Sequence, residues 1–167
     1  MNAIRTVLAV IITVASLRLP VATLNGESRT FPHDAEQPRS VFVVSFSKNA
    51  SAEASEWTRK LRENQGKLSA AIYQVAILED VPSLFRSFVI SSLRRQVPQH
   101  LHDHFWVALT ATAAWQRCVD SQSSAEPHVF VLESGGRIVW RAHGAVSEQK
   151  VIDLLALQTP TSRPSGP

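Results

Sequence analysis

Cysteine is almost absent from this sequence: among its 167 residues, only Cys118 carries a thiol. A single thiol cannot close a disulfide within the chain, and thiol–disulfide exchange by a dithiol needs two. The composition therefore excludes a disulfide scaffold and a dithiol oxidoreductase. Apolar side chains, which make up 44% of the residues, must hold the fold together.

The sequence also has little excess of charge. The formal net charge is +3, and two of the basic residues, Arg5 and Arg18, flank an apolar N-terminal stretch. Without these two, 15 basic residues face 14 acidic ones, and there is no basic run. We therefore expect no nucleic-acid partner, and no motif in the chain indicates a cofactor.

The N-terminus has the pattern of an export signal. Arg5 is followed by an uncharged stretch of 12 residues from Thr6 to Leu17. A membrane-spanning helix needs about 20 apolar residues, and Arg18 interrupts this stretch. We therefore predict a signal peptide in residues 1–24, with an uncleaved membrane anchor as the alternative. Either interpretation places the protein in the periplasm or at the membrane.

The rest of the chain divides into one domain and two polar segments. Residues 25–39 are polar and contain proline, which predicts a linker. Residues 159–167 have the composition of a disordered tail. We therefore place a single domain at 40–158.

Two sites in the leader are suitable for cleavage by a signal peptidase. Small residues occur at Val14-Ala15-Ser16 and at Val21-Ala22-Thr23.

Strand and helix patterns alternate along the domain. Short apolar runs rich in β-branched residues predict strands buried on both faces, and a glycine turn between the last two predicts a hairpin. Alternation with helices indicates parallel strands covered by helices, closed by an antiparallel edge. The predicted strands are residues 41–46, 71–78, 105–109, 128–132 and 137–142.

The helices between these strands show apolar residues at helical spacing. In the first helix, Asn49 or Ser51 is the expected N-cap. In the second, Asp80 is the expected cap and Pro98 the expected stop. Ser147 should cap the last helix. The predicted buried faces are Ala54, Trp57 and Leu61 in the first helix, Leu84, Phe85, Phe88, Val89 and Leu93 in the second, and Val151, Leu154 and Leu155 in the last.

The closing stretch from Pro127 to Gly144 resembles the C-terminal half of the thioredoxin superfamily. It has a proline before a buried strand, then a glycine turn, a second strand, a glycine and a final helix. The additional strand and helix at 105–120 resemble the redoxin branch. The resemblance implies a three-layer α/β/α sandwich with a mixed central sheet of about five strands and flanking helices. It also implies that Pro127 lies at the family's cis-proline position, where that strand edge binds extended peptide.

The sequence departs from this superfamily where its redox motif should lie. That motif follows the first strand, where the N-terminus of a helix stabilises a thiolate. Here the loop 47–54 reads Ser-Lys-Asn-Ala-Ser-Ala-Glu-Ala and contains no cysteine. The resemblance therefore implies a redoxin without active-site cysteines.

A narrower resemblance concerns the second helix and the closing hairpin. The stretch from Phe85 to Pro98 contains two adjacent arginines and ends in proline, and it is followed by His102-Asp103-His104-Phe105. Together with Gly136-Arg137-Ile138-Val139-Trp140, it is similar to the mitochondrial ATP synthase assembly-factor family. That family implies a non-enzymatic assembly or chaperone role at a membrane.

Four residues are candidates for a binding surface. Arg94 and Arg95 end an amphipathic helix, where they either meet an acidic partner or lipid headgroups or only complement the helix dipole. Pro127 either opens a peptide-binding edge or only starts a strand. Ser51 lies in the loop that replaces the redox motif.

Two other features suggest chemistry less strongly. His100, His102 and His104 have donor atoms that suit zinc or copper, but we interpret them as solvated histidines rather than metal ligands. Cys118, on a predicted helix beside Trp115, is expected to be buried and inert rather than reactive.

The sequence therefore predicts a redox-inactive binding or assembly protein, chaperone-like and without catalytic residues. Its expected partner is a protein client, such as a membrane-protein subunit, with association to the membrane surface. The alternative is an oxidoreductase that uses a single cysteine or a metal at the histidine cluster.

Overall fold

The computed structural model describes residues 12–157. These residues form eight strands and four α-helices, and helices alternate with strands only after the fourth strand. They are β1 (Ile12–Thr13), β2 (Leu19–Thr23), β3 (Ser28–Phe31), β4 (Arg39–Ser45), α1 (Lys48–Glu63), β5 (Ala71–Ile77), α2 (Ser83–Gln96), β6 (Phe105–Ala108), α3 (Thr112–Val119), β7 (His128–Glu133), β8 (Arg137–His143) and α4 (Glu148–Ala156).

All eight strands belong to one mixed sheet with the order β1-β8-β7-β4-β5-β6-β2-β3. The central strands β4, β5 and β6 are parallel, and the remaining pairs are antiparallel. The five predicted strands are β4 to β8, so the alternating pattern and the closing hairpin are confirmed. The sheet is larger than the expected five strands because β1, β2 and β3 extend its two edges.

The core lies on both faces of the sheet, as the alternation of side chains along each strand requires. In β4, Phe42 and Val44 face a cluster that includes Trp115 of α3, whereas Val41 and Val43 face a cluster that contains residues of α1 and α4. Buried on both faces, β4 therefore has a continuous apolar sequence.

Helix α1 follows its predicted pattern, with a different cap. Ala54, Trp57 and Leu61 are fully buried. The N-cap is Ser47, whose hydroxyl accepts the Ala50 amide, rather than Asn49 or Ser51. In α4, Ser147 is the N-cap, as expected.

Helix α2 differs from the prediction in which side it buries. Leu84, Phe85 and Phe88, expected in the core, are 86%, 59% and 68% exposed. The inner side instead carries partly buried residues, among them Val89 and Leu93. Pro82 is the N-cap and no side chain caps the helix, so the cap expected at Asp80 is not formed.

The segment expected to be a linker is part of the domain. Within residues 25–39, β3 pairs with β2, and Phe31 is completely buried among aromatic residues. Strand β2 in turn pairs with β6 through Ala22 and Thr23. The domain therefore begins before residue 40, and residues 19–24, assigned to the leader by sequence, contribute Leu19, Val21 and Leu24 to its core.

For the two ends of the chain, the leader and the tail, the sequence predictions stay predictions. The first part of the expected leader, residues 1–11, and the expected tail at 159–167 lie outside the described residues. Between residues 12 and 157, none of the helices combines the length and apolar character needed to cross a bilayer.

Candidate functional site

The candidate site lies where β4 ends and β7 begins, at the N-terminus of α1. Besides capping α1, Ser47 donates its hydroxyl hydrogen to the carbonyl oxygen of Ser124, at 2.6 Å. This bond ties the loop before β7 to the start of the helix. The first residues of α1, Lys48 and Asn49, are exposed. The N-terminus of α1, which we call the mouth of the helix, thus presents a hydroxyl, an ammonium and an amide group, and no sulfur.

Pro127 is close to this mouth but does not present the expected open edge. Its carbonyl oxygen accepts the Gly144 amide at 2.9 Å, so it is used within the fold. In the described part of the chain the cis peptide bonds precede Pro32 and Pro38, and the bond from Glu126 to Pro127 is trans. The cis geometry that the resemblance implies for this position is therefore not found at Pro127. The proline is buried and immediately precedes β7.

A cavity of about 170 Å³ lies beside Pro127, between the end of α3 and the hairpin of β7 and β8. His128 and His143 are paired across the hairpin, and their rings are 6.4 Å apart. The lining residues are Val119, Asp120, Ser121, Glu126, His128, Arg141, Ala142 and His143.

The two histidines of this cavity have different environments. His128 is 1% exposed, and its Nε2 atom hydrogen bonds to the carbonyl oxygen of Ser123 at 2.9 Å. The side chain of His143 is 72% exposed, and its Nδ1 atom lies 2.9 Å from a carboxylate oxygen of Glu126. His128 therefore fixes the loop from inside, whereas His143 and Glu126 are available at the surface.

Arg141 lines the cavity and joins β8 to α3. Its Nε atom donates to the carbonyl oxygen of Cys118 at 2.8 Å. Its Nη2 atom is buried and has no hydrogen-bond partner. Burial lowers the pKa of the guanidinium, and nearby Asp120 opposes that shift.

Cys118 is not part of an accessible site. It lies in α3, is 1% exposed and packs in the core cluster that contains Trp115. Burial raises the pKa of its thiol to about 11, although Arg141 and Arg117 act in the opposite direction. A reactive cysteine needs an exposed, electropositive environment and a depressed pKa. The structure therefore agrees with the inert thiol expected from sequence.

The candidate residues Arg94 and Arg95 lie far from Ser51 and Pro127. Helix α2 begins where β5 ends and returns along the sheet, so its last turn is at the opposite end. There, the Nε atom of Arg94 donates to the carbonyl oxygen of Leu24 at 2.6 Å. Arg94 therefore has a structural role, and the four predicted residues do not form one site.

The three histidines of the expected cluster make separate contacts. His102 is 8% exposed and bonds to the carbonyl oxygen of Val97. His104 bonds to Glu36 at 2.8 Å, whereas His100 is exposed. Within residues 12–157, no three His, Cys, Asp or Glu side chains converge in a way that could hold a metal ion.

A second cavity, of about 310 Å³, lies at the opposite end of the sheet. Its charged residues are already paired, because Glu133 forms ion pairs with Arg39 and with Arg137. This arrangement leaves few unused polar groups. The cavity near Pro127 is therefore the better candidate for a functional surface.

Sequence reasoning missed the residues that form this surface. Glu126, His128, Arg141 and His143 belong to no motif and converge only through the pairing of β7 with β8. The signal available in the sequence was the glycine turn, from which the register can be counted outwards. A bulge between Val131 and Leu132 shifts that register by one residue.

Comparisons with known proteins identify the fold. No family model matches the sequence, and no curated protein matches it. Solved structures do match. The exposed lipoprotein thioredoxin Etrx1 of Streptococcus pneumoniae has a TM-score of 0.57 at 10% identity, over 84% of this chain and 98% of that chain.

Two other solved structures agree. A thio-disulfide isomerase from Thermus thermophilus gives a TM-score of 0.53 at 16% identity, over 84% of this chain and 92% of its own. BsSco, a member of the Sco family of cytochrome c oxidase assembly proteins, gives 0.54 at 6% identity, over 84% and 91%. The chain therefore has a thioredoxin-like fold, as predicted. Identities this low establish the fold alone.

Proposed function

We propose that this protein is a redox-inactive, thioredoxin-like binding or assembly protein that acts outside the cytoplasm. One observation carries the proposal: the mouth of α1 presents Ser47, Lys48 and Asn49, and the one sulfur able to act as a nucleophile is buried in α3. A hydroxyl cannot form the mixed disulfide through which thiol exchange proceeds. Without thiol exchange, the function left to a protein of this fold is to bind other molecules through its surface.

The client in this proposal is a protein, such as a membrane-protein subunit. An assembly role is what the resemblance to the ATP synthase assembly factors implies, and no family model or curated protein adds to that resemblance. Among proteins of similar fold, BsSco belongs to a family of assembly proteins. The leader pattern supports export, and Etrx1, which shares the fold, is an exposed lipoprotein.

The surface proposed for the client is the rim of the smaller cavity. His143 and Glu126 are exposed or half-buried there, and they form a polar pair beside the loop that Ser47 holds. Nearby, Lys150 donates to the carbonyl oxygens of His143 and Ala145. This rim is fixed in position and carries charges of both signs, which suits recognition of a polar protein surface.

The alternative functions predicted from sequence have weaker support. A single-cysteine enzyme needs an accessible thiolate, and Cys118 is buried with a raised pKa. A metal site at the histidine cluster needs converging ligands, and His102 and His104 are bonded to different partners.

Assays of insulin reduction and peroxide turnover test the absence of redox chemistry. We expect no activity from the natural chain. The double variant Lys48→Cys and Ser51→Cys restores a Cys-x-x-Cys spacing at the mouth of α1 and is the matched positive control. We expect it to acquire measurable disulfide reduction. Turnover by the natural chain contradicts the proposal.

Capture from detergent-solubilised membranes tests the binding role. We expect a defined client to be retained by the natural protein and lost from the variant Glu126→Ala, His143→Ala. The variant Lys67→Ala, which changes an exposed residue just beyond the C-terminus of α1, is the control. Recovery of no protein, or equal recovery with all three chains, contradicts the proposal.

A further inference from the structure

One face of α2 has the properties of an uncovered interface. Leu84, Phe85 and Phe88 are all more than half exposed, although the helix packs its other side on the sheet. Scattered exposed apolar residues are ordinary, but three large ones that adjoin on one helix are not. We call this surface, together with Ser91, Ser92 and Arg95, the α2 face.

Two unpaired charges lie at opposite ends of the α2 face. Asp80 is exposed in the turn that precedes the helix, and Arg95 is exposed in its last turn. In the described part of the chain, neither side chain forms an ion pair or a hydrogen bond. The other arginines of α2 are used within the fold, since Arg86 bonds to the carbonyl oxygens of Val81 and Glu79 and Arg94 to that of Leu24.

The size of the side chains also changes along the α2 face. Its N-terminal half carries Leu84, Phe85 and Phe88, whereas its C-terminal half carries Ser91 and Ser92. Positions three and four residues apart share one side of a helix. The face therefore runs from a negative charge, through large apolar side chains and then small ones, to a positive charge.

A surface of this kind is complementary to itself when it is reversed. In an antiparallel pair of α2 helices, Asp80 of one copy lies at the end where Arg95 of the other copy is exposed. Leu84 and Phe85 then lie over the small Ser91 and Ser92, and Phe88 lies near the two-fold axis. The two helix dipoles are also antiparallel, which is favourable.

We propose that a second copy of this chain covers the α2 face and forms a two-fold symmetric dimer with antiparallel α2 helices. A two-fold interface uses the same patch on both copies, so the patch must be self-complementary. An anionic membrane complements only the Arg95 end and repels Asp80. The arrangement of charges therefore favours a second copy over lipid.

The dimer should be weak. The interface centres on one helix of 14 residues, which is about 21 Å long. The area it buries is at the low end of the range for specific interfaces. Sedimentation velocity of the full chain over a concentration series is therefore a suitable measurement, and we expect a reversible monomer–dimer equilibrium.

Charge reversal gives the decisive experiment. In Asp80→Arg, two arginines face each other at both ends of the interface, and in Arg95→Asp two aspartates do. We expect each variant alone to be a monomer where the natural chain is a dimer. Mixed in equal amounts, the two variants form heterodimers with opposite charges at both ends, so dimers should reappear.

Two further variants separate this interface from general apolar association. Phe88→Asp should abolish the dimer. Ile152→Asp, which changes another exposed apolar residue on α4, should leave it unchanged. At concentrations low enough for the natural chain to be a monomer, both should show the same thermal unfolding as the natural chain, since neither side chain is buried.

Three outcomes overturn the proposal. The first is a natural chain that stays monomeric at all concentrations. The second is a dimer that survives Phe88→Asp. The third is a mixture of the two charge variants that stays monomeric. In the first case, binding of the monomer through Phe88 to vesicles of phosphatidylcholine and phosphatidylserine identifies lipid as the occupant.

Discussion

The Nε atom of Arg141 on β8 donates to the backbone carbonyl oxygen of Cys118 on α3, at 2.8 Å. This contact places a guanidinium near the thiol of the chain. A nearby cation favours a thiolate, and Arg141 does act to lower the pKa of Cys118. Burial has the larger effect and raises that pKa to about 11. The structure thus holds the sulfur in its neutral form.

The reactivity of Cys118 should reflect this environment. At pH 8, a thiol with a pKa of about 11 is ionised in roughly one molecule in a thousand, against about one in ten for an ordinary cysteine. We expect iodoacetamide to modify the native chain at least about 100-fold more slowly than the chain in guanidinium chloride. Mass spectrometry of timed samples measures both rates. Equal rates show that the thiol is accessible, against the proposed function.

The raised pKa of Cys118 also predicts a loss of stability in alkali. The thiol is neutral in both states below its ordinary value of 9.0. As the pH rises towards 11, the unfolded chain releases this proton and the folded chain retains it, so unfolding becomes more favourable. The free energy of unfolding should fall by about 1.4 kcal/mol per pH unit from this residue alone.

The variant Cys118→Ala isolates that contribution. Its own stability is lower because of the cavity it leaves, but its loss between pH 9 and 11 should be smaller by about 2–3 kcal/mol. Burial raises the pKa of Tyr73 as well, and this effect is common to both proteins. Denaturant titrations at several pH values measure the difference. Parallel curves for the two chains contradict the assigned pKa.

The central strands and the redox-motif loop were predictable because each depends on local composition. A strand buried on both faces is apolar throughout, so β4, β5 and β7 are recognisable as short runs. The absence of cysteine from residues 47–54 needs no geometry at all. These two facts were enough to predict the fold class and the absence of dithiol chemistry.

The sequence of α2 does not indicate which side of the helix packs on the sheet. The helix carries apolar residues on two sides, so periodicity allows either side to face the sheet. Contacts with Leu24 and Phe105 select the side of Val89 and Leu93. Because Leu24 was assigned to the leader, its packing against this side of α2 was missed.

The N-terminal strands were missed for a similar reason. Strand β2 is short and contains Pro20, which pairs with Thr30 of β3 but lies outside the two residues of β2 that pair with β6. Strand β3 is mostly polar, and only Phe31 is fully buried. Strands of this kind, at or next to the edge of the sheet, are defined by their pairing rather than by a continuous apolar sequence. The register of β7 and β8, which brings His128 opposite His143, likewise depends on a bulge that the sequence does not indicate.

Trp57 links α1 to the rim of the candidate site, so its replacement should be costly. Its indole Nε1 donates to the carbonyl oxygen of Gly144 at 2.8 Å, and the side chain is completely buried. Trp57→Phe removes this bond and leaves a cavity. We expect a loss of about 2–4 kcal/mol in the free energy of unfolding.

Trp140→Phe is the control for Trp57, because Trp140 is only partly buried at the edge of the same cluster. We expect its loss to be less than half as large. Denaturant titration followed by far-UV circular dichroism compares the two without relying on tryptophan fluorescence. Equal losses contradict the anchoring role of Trp57.

Alanine variants of two neighbouring glycines test how the N-terminal segment packs on the hairpin. Gly135 and Gly136 both have positive φ angles, of +81° and +73°. A Cβ atom at 135 meets nothing within 4 Å, whereas one at 136 lies 2.5 Å from the backbone nitrogen of Ala15. Both alanine variants incur a strain of about 1 kcal/mol. Gly136→Ala should cost clearly more, as thermal unfolding of the full chain measures.

The same pair of variants distinguishes the two cleavage sites considered for the leader. Cleavage after Ser16 removes Ala15 and retains β2, so in that shortened chain Gly135→Ala and Gly136→Ala should cost the same. Cleavage after Thr23 removes β2 and its core residues Leu19 and Val21, and the shortened chain should not fold. The mass of the mature protein recovered from an exporting host identifies the true N-terminus. A stable domain that begins at Leu24 contradicts the contribution of β2 to the core.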